Sequence, residues 1–455
     1  MEHFMRHFYA FQTFITPKLV VVVYTLEMRK LFISISCFLA LTLIATEAVS
    51  EERFIEQPLD HFDAQNLDTW RMRYFANNMT YQEGGSIFIY VGGDFEIGTF
   101  WIEHGHLYDI ARDLNGILFA FETRFFGQNQ PTSDTSTANL RFLSTEQILA
   151  DMAQLIDHIK RDDPRLVDAK VVLVGPQFGG NLVTWFRVKY PHYVDGVWSS
   201  SSSVEARMNF REYFEAIGSD LREFGSDDCN RRTWRAFRTM ENLIDGGRSE
   251  VLNEMFHLCH PLDVENDLEV LRFFLEIAET VSNGVINGGI SYVDDMCVML
   301  TNSETTNDLV AFADWFAYEH IRGGCFQQTF QEVVDFHSEP EWSSIGVVYG
   351  RRQYLYLTCT EYGWFTTADS MNQPFGTRIN LRYFTEMCRQ VFGDWITEDA
   401  IRENIERTNA FFGGVQPVIT NAFFTNGGLD PHRLTNVQAD IGTTVEAQTL
   451  PRKCP

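Results

Sequence analysis

Residues 170–180 read KVVLVGPQFGG, and this stretch constrains the fold more tightly than any other. A β-branched apolar run at 171–174 leads into Gly175, Gln177 and Gly179, and helical apolar periodicity follows over 181–190. A strand that turns at once into a helix through glycines is the setting of a nucleophile elbow, whose pattern is Gly-x-Ser-x-Gly. The glycines admit the tight turn and let the start of the helix pack against the strand. The apex, however, holds Gln177. A carboxamide has no hydroxyl to deprotonate and forms no acyl-enzyme. The backbone device of a serine hydrolase is legible here without its reactive atom.

The rest of the chain supplies a matching scaffold. Runs 86–91 (SIFIYV) and 116–121 (GILFAF) are almost wholly apolar, as strands of a parallel sheet buried on both faces are. Residues 144–160 place Ile148, Met152, Leu155, Ile156 and Ile159 at helical spacing. This alternation predicts the first part of an α/β core over 51–203. Strand signals then fade. Helical runs at 233–243, 268–281 and 307–320 predict an inserted helical cap over 204–355, with turn signals at Asn283-Gly284 and 287–289. Residues 356–455 return to strands, notably 418–425, and complete the core. The expected class is α/β, with a mostly parallel sheet and the cap inserted between its sequence halves.

Composition excludes some functions. The 455 residues carry 62 acidic and 36 basic side chains, a net charge of −26, which argues against nucleic acid as a partner. Residues 1–50 read as an N-terminal extension. Within it, 28–50 has the layout of a signal peptide: Met28-Arg29-Lys30, an apolar stretch at 31–45, then Ala48 and Ser50. The expected location is secreted or lysosomal. The apolar runs at 19–24 and 31–45 fall short of the ~20 residues that span a bilayer, so no stable membrane insertion is expected.

Eight cysteines occur, of which Cys37 belongs to the leader. None sits in a Cys-x-x-Cys pattern, and four cluster between 229 and 325, which suggests disulfide bracing with three connectivities open. Asn78-Met79-Thr80 is a glycosylation sequon. His104 and His106 have strand spacing with no Glu or Cys at metal-ligand distance, so neither metal nor cofactor is expected. The serine run 199–203 reads as a strand end followed by a loop rather than a nucleophile turn.

Several motifs together resemble the S28 serine exopeptidase family over about residues 54–454. They are QPLDHFD at 57–63, YVGGDFE at 90–96, ETRFFGQNQP at 122–131 with Thr123 in place of the family's His, LRFLSTEQILAD at 140–151, WFRVKYPHYVDGVWSS at 185–200, CTEYG at 359–363 and NGGLDP at 426–431. The resemblance implies an α/β-hydrolase fold, a Ser–Asp–His triad in that chain order, and exopeptidase action beside proline. Position by position, the nucleophile maps to Gln177, the acid to Asp430, which is retained, and the histidine to Lys453 in TLPRKCP. His432 stands two residues after Asp430, where the family has Trp. Phe178 and Gly93 map to the oxyanion hole. The resemblance also implies the bridges Cys229–Cys297, Cys259–Cys325 and Cys359–Cys388, with Cys454 unpaired.

A triad works as a unit, because the acid orients a base that takes the hydroxyl proton. With two of three members replaced, the expectation is a divergent, catalytically silent homologue that binds a peptide or protein ligand in its cleft, with a homodimer left open. The alternative is an active serine-type exopeptidase, either a Pro-Xaa carboxypeptidase or a dipeptidyl peptidase. A third reading is a structural secretory protein with a vestigial cleft.

Overall fold

The computed structural model describes residues 50–302, 304–321, 324–326 and 329–451. The signal peptide expected over 28–50 thus lies outside the described residues except for Ser50, and so do Lys453 and Cys454.

Ten strands are described: β1 (Glu51–Pro58), β2 (Thr69–Asn77), β3 (Ile87–Val91), β4 (Ile117–Phe121), β5 (Val171–Pro176), β6 (Gly196–Ser200), β7 (Arg207–Asn209), β8 (Gly363–Phe365), β9 (Ala422–Gly427) and β10 (Val445–Leu450). Eight of them form one sheet in the order β1-β2-β4-β3-β5-β6-β9-β10. β2 runs antiparallel to both β1 and β4, and every other pairing is parallel. The apolar runs explain this placement. In β3, Ile87, Ile89 and Val91 join the core on one face while Phe88 and Tyr90 join the core on the other. A strand with no polar face has to lie inside a two-sided sheet.

Two helices cover the first face. α1 (Thr145–Asp162) contributes Ile148, Met152, Leu155 and Ile156, and α2 (Gln177–Lys189) contributes Leu182, Val183, Trp185 and Phe186. The Ser144 side chain caps α1 by accepting the Gln147 N–H. Short helices Phe100–Glu103 and His106–Asp113 cover the other face with Ile102, Leu107 and Ala111. His104 and His106 therefore flank a break between two helices at Gly105, whose φ is +85°, and are not in a strand.

Between β6 and β9 the chain is mostly helical, with α3 (Glu212–Asp220), α4 (Asp227–Asp245), α5 (Asp267–Thr301), α6 (Asp308–Phe316), α7 (Leu381–Phe392) and α8 (Glu398–Phe412) as its larger elements. The fold is that of an α/β hydrolase with a helical cap. Several local features differ from the sequence reading. Residues 356–455, expected to return to strands, carry the amphipathic helices α7 and α8 before β9. β7, inside the interval expected to be helical, pairs in parallel with β8 as a separate two-stranded sheet. Three-residue strands are too short to leave a periodic signal. Asn283-Gly284 also does not turn, because α5 continues through it. Gly284 packs against the Tyr292 ring, which a Cβ there would meet at 2.0 Å. The second signal does act: Gly289 leaves helical geometry at φ +61° and kinks α5. Disulfides join Cys229 to Cys297, Cys259 to Cys325 and Cys359 to Cys388, the three pairs implied by the resemblance.

Candidate active site

β5 ends at Pro176 and α2 begins at Gln177, with nothing between. The turn is so tight that Gln177 takes a left-handed φ of +49°, a conformation that costs a non-glycine residue energy and recurs at functional turns. The flanking glycines are required sterically. A Cβ on Gly175 would come within 2.3 Å of the Gly179 carbonyl, and one on Gly179 within 2.2 Å of the Val91 carbonyl oxygen. The Gln177 side chain is exposed at the apex, where an attacking hydroxyl would stand, and its carboxamide makes no hydrogen bond among the described residues.

The loop after β3 closes on this turn. Gly93 packs so near that a Cβ there would lie 3.1 Å from the Gly179 nitrogen and 3.2 Å from the Phe178 Cβ. Phe178 is the second residue of α2, where a backbone N–H has no partner within the helix. Phe178 and Gly93 thus meet at one place.

The motif at 122–131 holds that loop. The Glu122 carboxylate accepts the Ile97 N–H at 3.0 Å and two guanidinium bonds from Arg73 at 2.6 and 3.0 Å. The Thr123 hydroxyl donates to the Gly92 carbonyl at 3.3 Å. Arg124, wholly buried, forms a bidentate pair with Asp151 at 2.6 and 2.7 Å and also donates to the Leu59 and Phe142 carbonyls.

Asp430 follows β9, and β5, β6 and β9 are adjacent and parallel. Asp430 and Gln177 therefore lie beyond the same carboxyl edge of the sheet. The Asp430 carboxylate accepts the His432 backbone N–H at 2.9 Å and caps the turn Pro431–Thr435. Lys453, expected in the histidine's place, is outside the described residues.

The structure adds a pair that sequence reasoning missed. β6 ends at Ser200, and the loop beyond it carries Ser203, whose Oγ lies 3.0 Å from His432 Nδ1. The Ser203 N–H donates to Asn181 Oδ1 at 2.6 Å, which ties the loop to α2. Tyr213 and Phe210 flank the imidazole, at 5.5 and 5.9 Å between ring centroids. Burial pushes the His432 pKa down, against the pull of Asp430. The only sequence signals were a histidine in a tryptophan's place and a run of serines that gave no reason to choose Ser203. Among the described residues no group of three or more metal-ligating side chains comes together.

A parallel sheet, a strained residue at a strand-to-helix turn and a glycine loop against that turn define an α/β hydrolase scaffold. Comparison with known proteins makes this specific. The family model for serine carboxypeptidase S28 matches residues 57–452, so the chain belongs to the S28 serine peptidase family. It is 29% identical to the thymus-specific serine protease of Mus musculus over 89% of this chain and 81% of that one. It is 28% identical to the lysosomal Pro-X carboxypeptidase of Bos taurus over 88% of this chain and 81% of that one.

Proposed function

We propose that this chain is a catalytically silent member of the S28 family that holds a peptide end in the cleft at the carboxyl edge of its sheet. The observation that carries this reading is Gln177 at the apex of an otherwise complete elbow. The turn, its glycines and the Phe178–Gly93 approach are the parts that bind and orient an acyl group, and they depend on backbone. The nucleophile is a side chain, and a carboxamide does not supply it. Asp430 has the acid's position but serves here as a cap. The lysosomal relative and the three disulfides support a secreted or lysosomal location.

The test is a set of proline-containing peptides incubated with the protein at pH 5 and pH 7. Saturable binding by calorimetry, with the peptide recovered intact by mass spectrometry, is the expected result. Turnover blocked by a fluorophosphonate sinks the proposal.

One observation favours the second reading, an active exopeptidase: the Ser203–His432 contact is a hydroxyl within reach of a base. Ser203 is only 7% exposed, which weighs against its use as a nucleophile. A fluorophosphonate adduct mapped to Ser203 would select this reading.

A further inference from the structure

A cavity of about 210 Å³ opens among α1, the π-helical turn Thr358–Tyr362 and α8. No part of the elbow lines it. Two arginines, Arg141 and Arg407, and two carboxyls, Glu146 and Glu361, line it, in a chain whose net charge is −26. Arg141, at its rim, has no carboxylate within ion-pair distance among the described residues and only rests on the Phe142 ring, 4.5 Å from the centroid. Arg407 meets Glu146 at 3.2 Å, but its side chain is 74% exposed, and such a pair is weak. Lys189 stands beside the cavity, its ammonium 3.2 Å from the Phe411 ring centroid.

The facing acid is already engaged. The Glu361 carboxylate accepts the Thr145 N–H at 3.1 and 3.3 Å and the Thr145 hydroxyl, which also meets the Tyr362 hydroxyl. Asn404 brings an amide with no hydrogen-bond partner among the described residues, and Tyr356, Phe411 and Phe412 supply apolar wall. We propose that this cavity is a binding site for a small carboxylate with an apolar, preferably aromatic, tail, held by Arg141, Arg407 and Asn404. The volume is below that of ordinary drug-sized pockets, so the ligand is small. Guanidinium forks match a carboxylate in geometry as well as charge.

The occupied state is favoured by acid. Burial raises the Glu361 pKa to about 7, assisted by Glu146 and opposed by the Thr145 bonds and Arg407. Below that pH Glu361 is neutral, and Arg141, Arg407 and Lys189 face Glu146 alone.

The probe is 3-phenylpropanoate, titrated calorimetrically into the full chain at pH 5.5 and pH 7.5. The expected result is one saturable site, tighter at pH 5.5, for which 3-phenylpropanamide does not compete. Arg141→Gln and Arg407→Gln should each weaken it about tenfold, the loss of one charge-assisted bond. Both residues are at the surface, so unchanged melting temperatures will show that the variants fold. Gln177→Ala should leave the affinity unaltered. Absence of saturable binding, equal binding of the amide, indifference to both arginine variants, or loss of binding in Gln177→Ala would each overturn the proposal.

Discussion

The chemistry of this protein turns on a few side chains, and Gln177 is the first of them. Its left-handed φ is kept with a carboxamide at the apex, in a turn where Gly175 and Gly179 pack tightly against one another and the Val91 carbonyl. The geometry for a serine is therefore in place. Gln177→Ser alone should stay near background on proline-containing peptides, because no base has been placed against that position among the described residues. Gln177→Ser with Lys453→His should exceed it. Triad knockouts elsewhere retain only about 10³–10⁴-fold over water, so the single variant has little to build on. Initial rates on a fluorogenic substrate decide the matter, and equal activity of the two variants would refute Lys453 as the histidine position. The elbow was legible in the sequence because it sits in a short motif with fixed spacing. Ser203 was not, because its partner His432 is far along the chain and only folding brings them to 3.0 Å.

Among the elements, the longest apolar runs were the most legible and their ends the least. Apolar run 86–91 became β3 nearly residue for residue, since an all-buried strand has one solution. The strand expected at 418–425 begins instead at Ala422, with Val418 left 93% exposed. Hydrophobicity alone could not locate that end, because Pro417 and its neighbours form a loop before the strand. The buried Arg124–Asp151 pair joins the loop after β4 to α1, with His61 Nε2 2.7 Å from the same carboxylate. Asp151→Ala would strand a buried guanidinium and should cost about 3–5 kcal/mol, read from urea unfolding. A loss below about 1 kcal/mol would mean that the arginine finds water instead. Removing the Cys229–Cys297 bridge by a double serine substitution should cost about 2–5 kcal/mol by the same measurement.

At the scale of the molecule, two half-buried carboxyls tie stability to pH. Burial raises Glu279 and Glu361 from 4.5 to about 7. Between those pH values the folded state holds protons that the unfolded state has released, so stability falls as pH rises from about 4.5 to about 7. His337 and His432, whose pKa values burial lowers, act in the opposite sense below 6.5. Glu361→Gln isolates one contribution. The drop in melting temperature from pH 5 to pH 7.5 should be smaller in this variant than in the parent, and an identical drop would remove Glu361 from the account. Asn78 is exposed just past β2, so a chain expressed through the secretory route should lose mass on endoglycosidase treatment, and Asn78→Gln should abolish the shift.

The sheet's division also has a consequence in time. Val197 of β6 pairs with Ala422 of β9, more than two hundred residues later. During synthesis the first six strands of the sheet emerge while β6 still offers its far edge to solvent, and that edge stays open until the entire cap has been made. Contacts of such separation form late and slowly, and an unpaired apolar edge invites other chains. While the residues between β6 and β9 are being made, a nascent chain carries a sheet edge whose own partner does not yet exist.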